Sequence, residues 1–219
     1  MVISAQVTQV INSIPYFLQG VGVTLQITFL ALFLGSAAGL LLALARVYSR
    51  GVIRSFAVFY SRIIRSLPLL VILFILYYGT YGLVNMPAFF AVVMALAVHT
   101  SAYQLEIFRG AIQSISKGQM EAALALGMSK MQCIFTVILP QALRRAIPYW
   151  ANEAAIVLKD SSLAFVLGIA DLMRRGQYVS ARTRSQLLTY IIIGIIYFIL
   201  TLVLTRGLLY MEKKLRIPE

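Results

Sequence analysis

Residues 21–45 read VGVTLQITFLALFLGSAAGLLLALA, a run without a charged side chain that is closed by Arg46 and Arg50. A helix that crosses a bilayer needs about 20 predominantly apolar residues. The run is therefore expected to span a membrane, with its arginines stopping it at the cytoplasmic face. The rest of the 219-residue chain has the same character, with 61% hydrophobic and 12% charged residues and a mean hydropathy of +0.88. Soluble domains carry about 25% charged residues. Half that density cannot coat a water-facing surface, so lipid is the solvent for most of this chain.

The net charge of +12 and a pI near 10.1 would suit a nucleic-acid binder, but the distribution points elsewhere. No charge occurs in residues 1–45 or 66–105, and basic residues gather between the apolar blocks, the arrangement that sets orientation in a membrane. One cysteine, Cys133, and one histidine, His99, exclude an intrachain disulfide and leave no cluster of metal-ligand spacing. The first apolar run has no Lys or Arg before it. It reads as a first span with its N-terminus outside, not as a cleaved signal peptide.

Extending the reading along residues 1–219 gives an all-α integral membrane protein with five transmembrane helices, at about 17–45, 66–84, 87–109, 143–166 and 187–206. Arg50, Arg54, Arg62 and Arg65 punctuate an elbow helix at about 50–64 that is too charged to cross and apolar enough to lie in the interface. Gly79, Gly82 and Pro87 mark a hairpin turn, and Tyr77, Tyr78, Tyr81, Phe89 and Phe90 flank it as an outer aromatic belt. Pro140 and Pro148 bracket the entry to the fourth span and are expected to break or bend it. Gly35 and Gly39 permit close approach of another helix. This topology places 14 Lys and Arg inside and five outside, namely Lys159, Arg174, Arg175, Arg182 and Arg184.

Ionisable residues within a span are candidates for a solute path, because their burial in lipid is costly. Glu153 and Asp160, at i and i+7, share a face of the fourth span; His99, Tyr103 and Glu106, at i, i+4 and i+7, share a face of the third. Two such stripes facing each other would line a path for a cationic or zwitterionic solute, since neighbouring carboxylates favour an added ammonium or guanidinium. Lys159 as an internal partner of Asp160 or Glu153 is the alternative, and Glu106 beside Arg109 reads as a structural or gating pair. Between spans three and four, Glu121-Ala122-Ala123-Leu124-Ala125-Leu126-Gly127 reads as a short cytoplasmic helix, at about 117–129, that ends on a glycine. It buries little of its own and needs a partner surface.

This segment resembles the cytoplasmic motif of the permease subunits of ATP-binding-cassette importers: Glu-Ala-Ala, three residues, Gly, nine residues, Ile, one residue, Leu-Pro. Glu121, Ala122, Ala123, Gly127, Leu139 and Pro140 match in register, with Val137 at the Ile position. The flanking sequence is similar to the branch that imports polar amino acids, the histidine and glutamine type. The similar stretches are Gly22–Thr28, Arg65–Val71, Ala102–Gly110, Leu139–Arg145, Asn152-Glu153 and Leu158–Leu163, with Ser66-Leu67 where the branch more often has Gly-Thr.

The resemblance implies a bacterial inner-membrane subunit, no enzyme itself, that forms the translocation pathway for a polar, basic amino acid such as arginine, lysine or histidine. A glutamine or glutamate importer of the same family is the alternative. It implies as partners a dimer of ATPase subunits carrying ATP and Mg, a second permease subunit, same chain or paralogue, and an extracellular binding protein; no cofactor belongs to this chain, which has no GxxxxGK[ST] phosphate loop. Glu121, Ala122, Ala123, Leu126, Gly127 and Met128 would couple to the ATPase. Glu153 would grip the α-amino group, Asp160 and His99 would read the side chain, and Asn152, Tyr103, Ser161 and Thr24 would complete the pathway set. A secondary transporter or channel using the carboxylates alone would leave the stretch from Glu121 to Pro140 unexplained. The other rival is a structural subunit, the dimer-mate of the true pathway subunit with vestigial polar stripes, which unchanged transport and binding in Glu153→Gln would favour.

Overall fold

The computed structural model describes residues 2–80, 82 and 84–215; Tyr81 of the expected aromatic belt and Arg216 of the inner basic group lie outside them. Among the described residues the chain is helical and holds no strand. The helices are α1 (Val2–Asn12), α2 (Ile14–Tyr48), α3 (Gly51–Ser66), α4 (Leu69–Gly79), α5 (Ala88–Gln113), α6 (Lys117–Ala125), α7 (Lys130–Gln132), α8 (Leu139–Asp160), α9 (Leu172–Thr183) and α10 (Gln186–Leu215). A π-helical segment (Cys133–Ile138) joins α7 to α8, and a 3₁₀ segment (Ser161–Leu167) follows α8.

Among the described residues three helices are long and apolar enough to cross a membrane: Ile14–Tyr48, Ala88–Gln113 and Gln186–Tyr210. At 1.5 Å per residue, the 22-residue α8 is about 33 Å long. It has the length to cross, but Arg144, Arg145, Glu153, Lys159 and Asp160 lower its hydropathy. The expected second span at about 66–84 contains a shorter helix, since α4 has 11 residues, about 16 Å of rise against a core of about 30 Å. Leu67 is extended (φ −94°, ψ 138°) before Pro68, as sterics before a proline demand. At the other end the chain turns through Gly82 (φ 82°) and Asn85 (φ 47°), whose side-chain carbonyl accepts from the Gly82 amide at 3.1 Å.

The two prolines of the expected fourth span behave differently. Upstream of Pro140 the helix widens into the π segment, where the Leu139 amide reaches the Ile134 carbonyl. Such a bulge accommodates a ring that cannot donate to the preceding turn. Pro148 instead lies inside α8, which continues through it. The carbonyl it leaves without an amide donor belongs to Arg144, which is exposed and can be solvated.

The chain divides into two compact units. The first gathers residues 1–33, 68–97 and 154–204 around the buried side chains of Val10, Phe17, Leu172, Val179 and Ile193. A Cβ at Gly20 would lie 2.7 Å from the Leu172 amide nitrogen, so only glycine lets α2 and the start of α9 meet there. Thr24 accepts a hydrogen bond from that same amide at 3.2 Å.

The second unit gathers residues 34–67, 98–153 and 205–219 around Ala43, Phe108, Ala111, Ile112, Ile115, Ile138, Ala142 and Ala146. The expected close approach at Gly39 occurs within the chain: a Cβ there would meet Gln104 Cβ at 2.8 Å and the Ser101 carbonyl at 2.9 Å. Helix α3 turns its small residues Ala57 and Ser61 inward and leaves Val52, Ile53, Phe56 and Phe59 exposed, as a helix bathed by lipid can.

Candidate functional site

In the second unit, Glu153 is buried, with 5% of its surface exposed. Its Oε1 accepts a 2.7 Å hydrogen bond from the Thr100 hydroxyl, whose oxygen accepts in turn from Gln104 Nε2 at 3.3 Å. Gln104 Oε1 accepts from Trp150 Nε1 at 3.0 Å, and the same indole N–H lies 2.9 Å from Ser36 Oγ. An indole can only donate, so Trp150 fixes the direction of the whole chain. The Gln104 carbonyl must face the indole, its amide must face Thr100, and the Thr100 hydrogen is left for Glu153. Thr100 and Gln104, one turn apart on α5 and both buried, thus hold the carboxylate on α8 as an acceptor.

The residues expected to face it on α5 were His99 and Tyr103. These lie one position away, about 100° around the helix, are half-buried, and pack on each other with ring centroids 5.0 Å apart. The Arg65 guanidinium sits 5.2 Å from the Tyr103 ring centre. Asn152, next to Glu153, is exposed. An i, i+4 threonine–glutamine pair is the sequence signal that marks the buried polar face of α5.

Glu106 is the hub of an ion cluster. It pairs with Arg46, with Arg109 at 2.9 Å and with Arg65 at 3.6 Å, and it accepts from Ser61 Oγ at 2.7 Å. The cluster ties the ends of α2, α3 and α5 together, which extends the expected pair with Arg109 to three arginines.

In the first unit, Asp160 is half-buried and Lys159 exposed. Lys159, Ser162, Met173, Tyr190 and Tyr197 are among the residues that line an open cavity of about 400 Å³. Ser161 and Thr24 are buried; Ser161 donates to the Leu158 carbonyl at 2.8 Å. Asp171, between the 3₁₀ segment and α9, caps α9 by accepting from the Arg174 amide at 2.8 Å. Burial raises its carboxyl pKa to about 6 against these stabilising hydrogen bonds. Among the described residues no group of three His, Cys, Asp or Glu side chains could hold a metal ion.

The segment from Ser116 to Gln132 is built as an interlocked turn. Ser116 caps α6 through the Gly118 amide. At the far end the Met128 amide reaches the Ala123 carbonyl at 3.2 Å and the Gly127 amide reaches Leu124 at 2.9 Å, the paired bonds of a Schellman cap. They require Gly127 to be left-handed (φ 83°), where a glycine avoids the Cβ penalty. Ser129 then caps α7 reciprocally with Gln132. Ala123 is buried against its own unit, while Glu121, Ala122, Leu124, Ala125 and Leu126 are exposed, Leu126 by 84%.

Residues 31–217 match the family model described as the binding-protein-dependent transport system inner membrane component. The arginine transport system permease protein ArtQ of Bacillus subtilis (strain 168) is 36% identical over 208 residues, covering 94% of this chain and 95% of that protein. The glutamine transport system permease protein GlnP of Escherichia coli (strain K12) is also 36% identical over 208 residues, with the same coverage. The nopaline transport system permease protein NocM of Agrobacterium fabrum (strain C58 / ATCC 33970) is 36% identical over 214 residues, with 93% and 89% covered. A crystal structure of an amino acid ABC transporter with histidines has a chain that superposes with a TM-score of 0.85 at 40% identity, covering 93% of this chain and 96% of that one. With the apolar helices and the capped Glu-Ala-Ala segment already in place, these matches establish that the chain belongs to the inner-membrane components of binding-protein-dependent transport systems, as a multi-pass permease subunit of the amino acid ABC-importer type.

Proposed function

We propose that this permease forms the translocation pathway for a basic amino acid, arginine, lysine or histidine, and that Glu153 engages the cationic solute. The observation that carries the proposal is the buried Glu153 carboxylate held as an acceptor by the Thr100–Gln104–Trp150 chain. A carboxylate placed as an acceptor on an apolar span is the group to which an ammonium or guanidinium of the solute can donate. His99 and Asp160 are assigned to the side chain of the solute, with Asn152, Tyr103, Ser161 and Thr24 completing the set. A glutamine importer is the second reading, favoured by relatives named for glutamine transport and by the α-amino group that any such solute offers to Glu153.

In this proposal α8 crosses as the fourth of five spans, with the N-terminus outside and α6 in the cytoplasm. The exposed face of α6, with Glu121, Ala122 and Leu126, docks on an ATPase dimer that carries ATP and Mg, and Ala123, Gly127 and Met128 hold the shape of the turn. The ATPase activity belongs to that partner, and a second permease subunit and an external binding protein complete the importer.

The test is uptake of labelled arginine by the assembled transporter in the presence of excess unlabelled amino acids. Lysine and histidine are expected to compete and glutamine not to. Competition by glutamine with none from lysine or histidine would favour the second reading.

A further inference from the structure

Four arginines follow the fourth span, Arg174, Arg175, Arg182 and Arg184, against one acid, Asp171. In the proposed topology they face outward, contrary to the usual bias of basic residues toward the cytoplasm, and the transport path makes no use of them. Their arrangement is ordered. Leu172, Gly176, Val179, Ser180 and Thr183 form the buried stripe of α9, with Gly176 pressed so closely on Ile193 that a Cβ would lie 2.8 Å from its Cγ1. At 100° per residue, Arg174 and Tyr178 fall opposite this stripe, and Arg182 and then Arg175 follow along one flank.

Neutral groups hold the first two guanidiniums in place. Arg174 donates to Tyr178 Oη at 3.1 Å and to Gln177 Oε1 at 2.7 Å. Arg175 donates to Gln19 Oε1 at 2.9 Å and to the Ala170 carbonyl at 3.2 Å, and lies 4.5 Å over the Tyr16 ring. Arg182 and Arg184 are exposed. Among the described residues, none of these four guanidiniums forms an ion pair with a carboxylate. Long cationic side chains spread on a rigid helix, with their charge unanswered, make a surface already organised for an acidic partner.

We infer that the arginine face of α9 is the docking surface for the soluble binding protein on which this family of transport systems depends, and that the binding protein meets it with a cluster of carboxylates. The inference rests on the outward placement of α9 in the proposed topology. It adds to that proposal the residues and the charge that select the partner.

The test uses right-side-out vesicles containing the complete transporter and internal ATP, supplied with the system's own binding protein loaded with labelled amino acid. Replacing Arg174, Arg182 and Arg184 together by Gln is expected to raise the binding-protein concentration for half-maximal uptake about tenfold at low ionic strength, with the maximal rate unchanged and the salt dependence flattened. Poly-L-glutamate added outside should compete in the wild type and lose most of its effect in the variant. An unchanged half-saturation overturns the inference, as does a fall in maximal rate alone, which would make the arginines structural. A loss of uptake that follows the anionic lipid content of the vesicles, with no dependence on binding-protein concentration, would assign the face to headgroups and also overturn it.

The topology has a separate readout. Ala181→Cys in a Cys133→Ser background should react with a membrane-impermeant maleimide from outside. Labelling only after permeabilisation contradicts the topology and the docking together, whereas outside labelling with unchanged half-saturation contradicts the docking alone.

Discussion

At the scale of single residues, one hydrogen-bond direction organises the candidate site. Thr100→Val keeps the shape but removes the only proton that Thr100 gives to Glu153. It is expected to cost about 1–3 kcal/mol of stability and to raise the KM for uptake several-fold, while Thr100→Ser restores both; melting in detergent and uptake kinetics check the pair. Glu153 was legible as a candidate, because a carboxylate inside an apolar run of sequence invites a functional reading. Its partners were not. Helix α5 is buried around much of its circumference, from Ala91 and Val92 through Leu105 and Phe108, so hydropathy gives no inward direction, and the conspicuous His99 and Tyr103 drew the reading one residue away from Thr100 and Gln104.

At the scale of elements, each cap makes its own prediction. Gly127→Ala forces a Cβ into a left-handed position at a cost of about 1–2 kcal/mol, and is expected to loosen the end of α6 and reduce substrate-stimulated ATPase activity while the protein remains in the membrane. The C-terminal glycine and the helix before it were legible because a cap depends on near neighbours in the chain. The uninterrupted course of α8 through Pro148 was not, since it depends on whether the carbonyl of Arg144 finds solvent. Asp171 shows the same dependence on surroundings. Its folded carboxyl, at about pH 6, lies above the usual value of about 3.9, so the folded state binds more protons between these values. Stability contributed by this group is full at low pH, falls as pH rises from about 4 to about 6, and is flat above. Asp171→Asn keeps an oxygen for the Arg174 amide. It is expected to melt higher than wild type at pH 7.5, by about 1–3 kcal/mol of stability, with the difference vanishing toward pH 4; an equal difference at both pH values would contradict this account.

At the scale of the whole molecule, charge decides where the chain rests and what it binds. Acids are absent before Glu106, and that first one gathers Arg46, Arg65 and Arg109. Glu106→Gln leaves three guanidiniums together at a half-buried site and is expected to lower stability by about 1–3 kcal/mol, read as a lower melting temperature that high salt partly restores. The all-helical membrane class was legible from composition, and the subunit type from the Glu121–Pro140 motif, because both are written in consecutive residues. The solute is not, since the relatives transport different amino acids on a common frame. The most direct test is equilibrium binding of labelled arginine, lysine, histidine, glutamine and glutamate to the complete transporter, wild type and Glu153→Gln. Saturable binding of a cationic amino acid that the substitution abolishes is expected; binding of a cationic amino acid that survives Glu153→Gln unchanged would contradict a role for Glu153 in holding the solute.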